Sequence, residues 1–157
     1  MELTQTELEQ LWHDKAYGVL TRPAIEIEYN RRSAGQIHWV IFLDLDNIHN
    51  LNSQFASDTE DGYSKVDEKV RAAFASVRST DLLVAGRFKS GDEVVFLIAG
   101  DPERFCERLQ TSLNEQGLSA TMAYTQPLQD FETTIKQAAI QVKRAKKKNL
   151  RGRVIRR

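Results

Sequence analysis

The sequence predicts an α/β fold in which helices flank a central, largely antiparallel sheet. The nearly continuous apolar run 37–45 is typical of a central strand that is covered on both faces. Two further apolar stretches, 82–88 and 93–99, are separated by a short polar turn, as in a β-hairpin. Segments with helical periodicity separate these strands, which favours a layered α/β sandwich.

The other elements follow in order from periodicity and capping. The predicted helices cover 4–12, 21–35, 48–55, 63–77, 101–117 and 130–145. Thr4, Thr21 and Asp130 are suited to cap the helices that they begin. The strongest apolar stripe consists of Tyr63, Val66, Val70, Phe74 and Val77. The last two strands are expected at 118–124 and, on an edge, at 153–155.

Length and composition indicate one globular domain over 1–157. The 157 residues are 41% apolar and 28% charged, which are ordinary values for a soluble protein. The single cysteine, Cys106, cannot form an internal disulfide and fits a reducing compartment. Neither a signal-peptide pattern nor a membrane-spanning run is present, so we expect a cytoplasmic protein without membrane contact.

The net charge is zero, but the charge is unevenly distributed. A basic tail, 143–157, holds nine Lys and Arg residues and no acidic residue. The rest of the chain carries 13 basic and 22 acidic residues, a net charge of −9. Such a tail is compatible with three roles: a solvated end of the chain, a phosphate-binding segment, or a nucleic-acid-binding segment. The acidic remainder would repel a polyanion, which makes nucleic acid the least favoured partner.

Two acidic pairs stand where apolar strands end. Asp44 and Asp46 follow the first strand, and Asp92 and Glu93 lie at the hairpin turn. Oxygen-only clusters of this kind suit Mg²⁺. Paired divalent ions can stabilise the attacking and leaving oxygens in phosphoryl transfer. The sequence therefore predicts a metal site for phosphoryl chemistry, although isolated strand-end acids are more often solvated or cap a helix.

Four motifs in this order resemble those of the GGDEF domain, the catalytic module of diguanylate cyclases. They are 14–22, with Asp14, Gly18 and Arg22; the Asp-x-Asp run 44–53; Ser-Gly-Asp-Glu-Val at 90–94; and the Ala-Lys and basic segment 145–154. The resemblance covers about residues 14–150, the core of a single domain. It implies the ferredoxin-like palm of polymerases and nucleotide cyclases.

The resemblance also implies roles for individual residues. Asp44, the Leu45 carbonyl and Asp92 would hold Mg²⁺ or Mn²⁺. Glu93, together with Asp92, would be catalytic and would position or activate the attacking 3′-hydroxyl. The residues expected to bind nucleotide are Asn52, Asp61, His49, Gly91, Lys146 and Arg151.

The resemblance assigns guanine recognition to Asn52 and Asp61, which keep the family spacing; the alternative is that they only cap or decorate a loop. A carboxylate can accept hydrogen bonds from guanine N1–H and N2–H₂. His49 replaces a phosphate-contacting lysine of the family, and Lys146 matches another. An Arg-x-x-Asp sequence, 78–81, has the letters of a product-inhibition motif, but eight residues separate it from Ser90. We therefore expect that it does not act as one.

The resemblance implies a cyclase that joins two GTP into cyclic di-GMP as a homodimer, at least transiently. Regulation would then come from a partner protein, from expression or from oligomerisation. One alternative is a degenerate domain that binds GTP or a cyclic dinucleotide and signals by protein contact. Ser90, His49 and the pair 56–57 favour this alternative. A second is a palm-type cyclase that makes another oligonucleotide, and a third is a basic-tailed nucleic-acid-binding module.

Overall fold

The computed structural model describes residue 4 and the ranges 12–32, 35–56, 62–77, 81–89, 92–128 and 130–156. Most of the helix expected at 4–12 lies outside these residues. Three site residues or neighbours named above, Asp61, Ser90 and Gly91, also lie outside them.

Seven strands form one mixed sheet in the order β1-β2-β4-β5-β3-β6-β7. The strands are β1 (His13–Asp14), β2 (Val19–Leu20), β3 (Trp39–Leu45), β4 (Leu82–Arg87), β5 (Glu93–Ile98), β6 (Ala120–Thr125) and β7 (Val154–Arg156). β3 is central and antiparallel to both β5 and β6, whereas the β2–β4 and β6–β7 pairs are parallel. The expected α/β architecture with a largely antiparallel sheet is confirmed.

Helices connect the strands and cover the sheet. They are α1 (Arg22–Arg31), α2 (Ile48–Phe55), α3 (Gly62–Ser76), α4 (Pro102–Glu115) and α5 (Phe131–Lys147). The caps expected at Thr21 and Asp130 are present, because their side chains accept hydrogen bonds from the Ala24 and Thr133 amides. The described part of the chain includes no helix with the length and apolarity needed to span a membrane.

The core has two layers, one on each face of the sheet. In β3, Ile41 and Leu43 pack in the layer with α3 and α4, whereas Val40 and Phe42 pack in the layer with α1 and α5. All four side chains are fully buried. This burial on both faces explains the nearly continuous apolar sequence of β3.

The structure differs from the sequence prediction in three places. Tyr63 is 57% exposed and does not belong to the buried stripe of α3, because it lies in the first turn beyond the core. α1 ends at Arg31, before Gly35, since Arg32 already has an extended backbone. The two-residue strands β1 and β2 were not expected, and they extend the sheet beside β4.

Candidate functional site

The register of β3 and β5 brings three carboxyl groups to one end of the sheet. Asp44 lies directly opposite Glu93, and the Leu45 amide donates a 3.0 Å hydrogen bond to the Asp92 carbonyl. Glu93 is buried, whereas Asp44 and Asp92 are partly exposed. The sequence expectation that these strand ends meet therefore corresponds to what the structure shows.

Burial and mutual repulsion shape the electrostatics of this end. Burial raises the pKa of Asp44, Lys146 counteracts the rise, and Glu93 and Asp92 add to it. Burial likewise raises the pKa of Asp92, against the opposing effect of Lys146 and Arg87. The site thus concentrates negative charge where water is partly excluded, which favours a cation between the carboxylates.

Lys146 brings a positive charge into this cluster from the last turn of α5. Its Nζ donates to the Leu45 carbonyl at 2.9 Å and to the Asp44 carbonyl at 3.2 Å. It also lies 3.3 Å from Asp44 Oδ2 and 3.2 Å from Asp46 Oδ1. The Lys146 side chain is only 16% exposed, so most of its length is packed rather than solvated.

Asp46 anchors the segment that follows α5. Its carboxylate is 2% exposed and accepts hydrogen bonds from Ser119 Oγ at 2.9 Å and Thr121 Oγ1 at 2.8 Å. The Gly152 amide donates a third bond, of 3.0 Å. Asp46 therefore fixes the segment that leads into β7, next to Lys146, and has little free capacity for a further ligand.

The donor set at the strand ends fits a hard divalent cation. Carboxylate and carbonyl oxygens, four of which already contact the Lys146 ammonium, form a cradle for positive charge. Among the described residues, no three His, Cys, Asp or Glu side chains are preassembled at metal-binding distance. Mg²⁺ usually keeps several waters and takes phosphate oxygens, so a few protein oxygens suffice.

Arg87, at the end of β4, is a site residue that sequence reasoning missed. Its guanidinium lies 3.3 Å from Asp14 Oδ1 and 3.8 Å from the ring centroid of Tyr17. Asp14 also accepts a hydrogen bond from the Tyr17 amide. Because Arg87 also lowers the pKa of Asp92, it is a second cation beside the carboxylates. Its position directly before the hairpin was the available signal.

The hairpin between β4 and β5 is held against two helices. The Phe88 amide donates to the Glu93 carbonyl at 2.9 Å and narrows the turn. Lys89 Nζ lies 3.7 Å from Glu132 Oε2, and Glu132 also pairs with Arg22. Both cations lie over the Phe88 ring. Lys89 thus connects the turn to α5.

Asn52, on α2, is an unusual buried polar group. It is 5% exposed, and neither atom of its side-chain amide has a hydrogen-bond partner within the described ranges. An unsatisfied buried amide is costly, which makes it a candidate ligand-binding group. Gly62 packs so closely that an added Cβ would lie 1.5 Å from the Asn52 carbonyl oxygen.

Two of the remaining expected residues, His49 and Arg151, are exposed. His49 is exposed in the first turn of α2, and Arg151 is exposed in the loop before β7. Within the described ranges, no hydrogen bond or ion pair joins Arg151 to the carboxylates. Asp81 lies 3.8 Å from Arg108 on α4, while 78–80 lie outside the described residues.

Solved structures with the same fold are found across nearly the whole chain. The diguanylate cyclase SiaD from Pseudomonas aeruginosa, in complex with its activator SiaC, has a TM-score of 0.68 at 20% identity over 92% of this chain. This chain spans 61% of the SiaD chain.

Two further structures contain cyclic di-GMP. The GGDEF domain of DgcB from Caulobacter crescentus has a TM-score of 0.67 at 15% identity, covering 99% of this chain and 96% of that one. LapD from Vibrio cholerae, solved as S helix, GGDEF and EAL, has a TM-score of 0.73 at 17% identity, covering 97% and 38%.

No protein-family model matches the sequence, and the search of curated proteins gave no significant match. The likeness therefore rests on the backbone: a central antiparallel β3, a β4–β5 hairpin and flanking helices, matched over most of the chain. This chain has the fold of the GGDEF domains.

Proposed function

We propose that this protein is a diguanylate cyclase-like nucleotidyltransferase that condenses two GTP into cyclic di-GMP. The observation that carries the proposal is the registered pair Asp44 and Glu93, with Asp92 adjacent, at the end of a partly buried sheet. Three carboxyl groups and two cations in one place favour a role in phosphoryl transfer over a role in stabilising the fold, because clustered groups with perturbed pKa values are typical of functional sites. The GGDEF fold gives this arrangement a chemical precedent.

In this proposal, Asp44, the Leu45 carbonyl and Asp92 hold Mg²⁺ or Mn²⁺. The metal, when bound, would neutralise phosphate charge and lower the pKa of the attacking hydroxyl. Glu93 accepts the proton of the 3′-hydroxyl as that oxygen bonds to the α-phosphorus of the other GTP. The bond to pyrophosphate breaks at the same phosphorus, and Lys146 can neutralise a departing phosphate oxygen.

Two such transfers close the ring and release two pyrophosphates. If each domain presents one GTP, two domains must face each other, so the proposal includes a homodimer that is at least transient. Asn52, whose side-chain amide has no hydrogen-bond partner among the described residues, is assigned to the guanine edge together with Asp61. A regulatory protein partner is also proposed, by analogy with the SiaD–SiaC complex.

A binding domain without turnover is the second candidate. The contacts of Lys146 with Asp44 and Leu45 favour it, because they place an ammonium on oxygens that a metal would need. The exposed His49, a weaker phosphate partner than lysine, favours it as well. Such a domain would bind GTP or a cyclic dinucleotide and act through protein contacts.

Product analysis separates these candidates. The pure protein is incubated with each nucleoside triphosphate and Mg²⁺ or Mn²⁺, and products are identified by mass spectrometry. We expect cyclic di-GMP from GTP, lost in Asp92→Asn and retained in Glu107→Gln, an exposed carboxylate on α4. Activity of Asp92→Asn equal to wild type would exclude the assigned site. GTP binding without product in either metal would favour the binding domain, and another oligonucleotide would favour the alternative palm enzyme.

A further inference from the structure

The Lys146 ammonium lies on the oxygens that the proposed function assigns to the divalent cation. Its Nζ is 2.9 Å from the Leu45 carbonyl oxygen and 3.3 Å from Asp44 Oδ2. A lysine that only contacted phosphate would extend into solvent, whereas this side chain is 16% exposed. Asp46 also holds the ammonium, because its Oδ1 is 3.2 Å from Nζ.

A divalent ion and this ammonium would be close neighbours. Mg²⁺ binds oxygen at roughly 2.1 Å. An ion bound to the Leu45 carbonyl would therefore lie no more than about 5 Å from Nζ, on whichever side it enters. Like charges at that distance repel strongly in a partly buried site. The Leu45 carbonyl and the Asp44 carboxylate would also have to serve both cations at once.

We propose that Lys146 and the divalent cation compete for the Asp44 and Leu45 oxygens, so that Lys146 serves as a tethered cation until metal displaces it. This inference rests on the proposed function, which assigns the metal to those oxygens. Its consequence is that the nucleotide-free protein binds metal weakly. A triphosphate that attracts the Lys146 ammonium would free the oxygens for metal, so nucleotide and metal would bind cooperatively.

Direct metal titration tests the competition without any turnover. Mn²⁺ binding to nucleotide-free wild type, Lys146→Met and Lys147→Met is measured by electron paramagnetic resonance of free Mn²⁺. Methionine keeps much of the apolar stem of Lys146, and Asp46 keeps its three other hydrogen-bond donors. Lys147 is the matched control, because it is the next residue on α5 and is exposed.

We expect Lys146→Met to bind Mn²⁺ at least about tenfold more tightly than wild type, since several charge-assisted contacts no longer compete. Lys147→Met should match wild type. Equal or weaker binding by Lys146→Met, with measurable binding by wild type, would overturn the competition and leave the metal site standing. Absence of binding in both would overturn both. Tighter binding by Lys146→Met with no product from wild type would overturn only the cyclase.

A second measurement on the wild-type protein does not depend on the folding of a variant. Acetic anhydride labels exposed lysine amines, and mass spectrometry resolves the label at Lys146 and Lys147. We expect Mg²⁺ to increase labelling of Lys146 several-fold and to leave Lys147 unchanged. Unchanged labelling of Lys146, at Mg²⁺ concentrations that displace bound Mn²⁺, would refute the competition.

Discussion

Replacing Asp46 tests whether this buried carboxylate is the structural anchor of the site. Its oxygens accept from Ser119 Oγ, Thr121 Oγ1 and the Gly152 amide, and the Lys146 ammonium is 3.2 Å away. Asp46→Ala would remove the carboxylate that accepts from three donors, and Lys146 would keep only the Leu45 and Asp44 oxygens as partners. Removing one partner of a buried charge pair costs roughly 3–5 kcal/mol.

A smaller loss is expected for Asp46→Asn. The amide keeps one oxygen acceptor, but it loses the charge and turns an NH₂ group toward a donor. Because hydrogen bonds to charged groups exceed neutral ones by about 1 kcal/mol each, we expect a loss of roughly 1–3 kcal/mol. For a domain of this size, each kcal/mol lowers Tm by about 2–4 °C. Asp46→Ala should therefore lower Tm by roughly 6–20 °C.

Urea and thermal unfolding followed by circular dichroism measure both variants. Hydrogen exchange should show the earliest loss of protection at 150–156, because the Gly152 amide loses its shorter hydrogen bond and keeps only the 3.2 Å bond to Thr121 Oγ1. Asp101→Ala is the control: Asp101 is an exposed helix cap on α4, and its loss should cost about 1 kcal/mol. The anchor is refuted if Asp46→Ala costs no more than Asp101→Ala.

Three further predictions concern the carboxylate of Asp92, the preference for guanine over adenine, and the basic tail. Asp92→Asn should abolish product yet be more stable than wild type at pH 7 in urea unfolding, because an acid whose pKa is raised on folding destabilises the fold once ionised. GTP should displace a fluorescent GTP analogue about tenfold to a few hundredfold better than ATP, and Asn52→Ala should narrow the difference, since adenine leaves the polar pocket unsatisfied. Arg151→Gln should weaken GTP binding a few-fold in the same titration, whereas Arg153→Gln should not.

The raised pKa of Asp92 sets the pH range in which Asp92→Asn is more stable than wild type. The stability that Asp92 contributes is fully present below its unfolded pKa near 3.8 and is lost as pH rises through the higher folded pKa. The advantage of Asp92→Asn should thus grow from pH 4 toward pH 7. An advantage that is constant with pH would contradict the assigned cause.

The predictions on guanine preference and on Arg151 would each be contradicted by a different result. Equal competition by ATP would exclude a guanine pocket. Unchanged GTP binding in Arg151→Gln, with a salt-sensitive affinity for DNA or RNA that this variant loses, would assign the tail to nucleic acid. Substitution is preferable to deletion of 151–157, because β7 pairs with β6 in that segment.

Most of the fold could be predicted because its elements carry local signals. β3 and β5 are continuous apolar runs, and the stripe through Val66 and Val70 has helical spacing. The two-residue strand β2 carries no such signal, since its pairing with Gly86 of β4 is set entirely by tertiary contacts. The exposure of Tyr63 was likewise missed, because periodicity does not show where a helix passes beyond the core.

The candidate site could be predicted only in part, because its geometry depends on register and on contacts distant in sequence. A shift of one residue between β3 and β5 would turn Asp44 to the opposite face from Glu93. Sequence alone could not fix that register. Lys146 was expected to contact phosphate, yet its bonds to Leu45 join residues about one hundred positions apart. The family resemblance predicted Lys146 as a site residue, whereas its contact with Leu45 could be found only from the fold.

The charge balance of the site explains why it depends on the complete fold. Asp44 and Glu93 come from β3 and β5, and Asp92 comes from the turn before β5, whereas Arg87 comes from β4 and Lys146 from the last turn of α5. Before α5 docks, the carboxylates have only part of this compensation. Because Asp46 binds both Lys146 and the segment after α5, one buried acid couples the position of the cation to the end of the chain. Perturbing that end should therefore change the affinity of the proposed metal site for Mn²⁺ in the same titration.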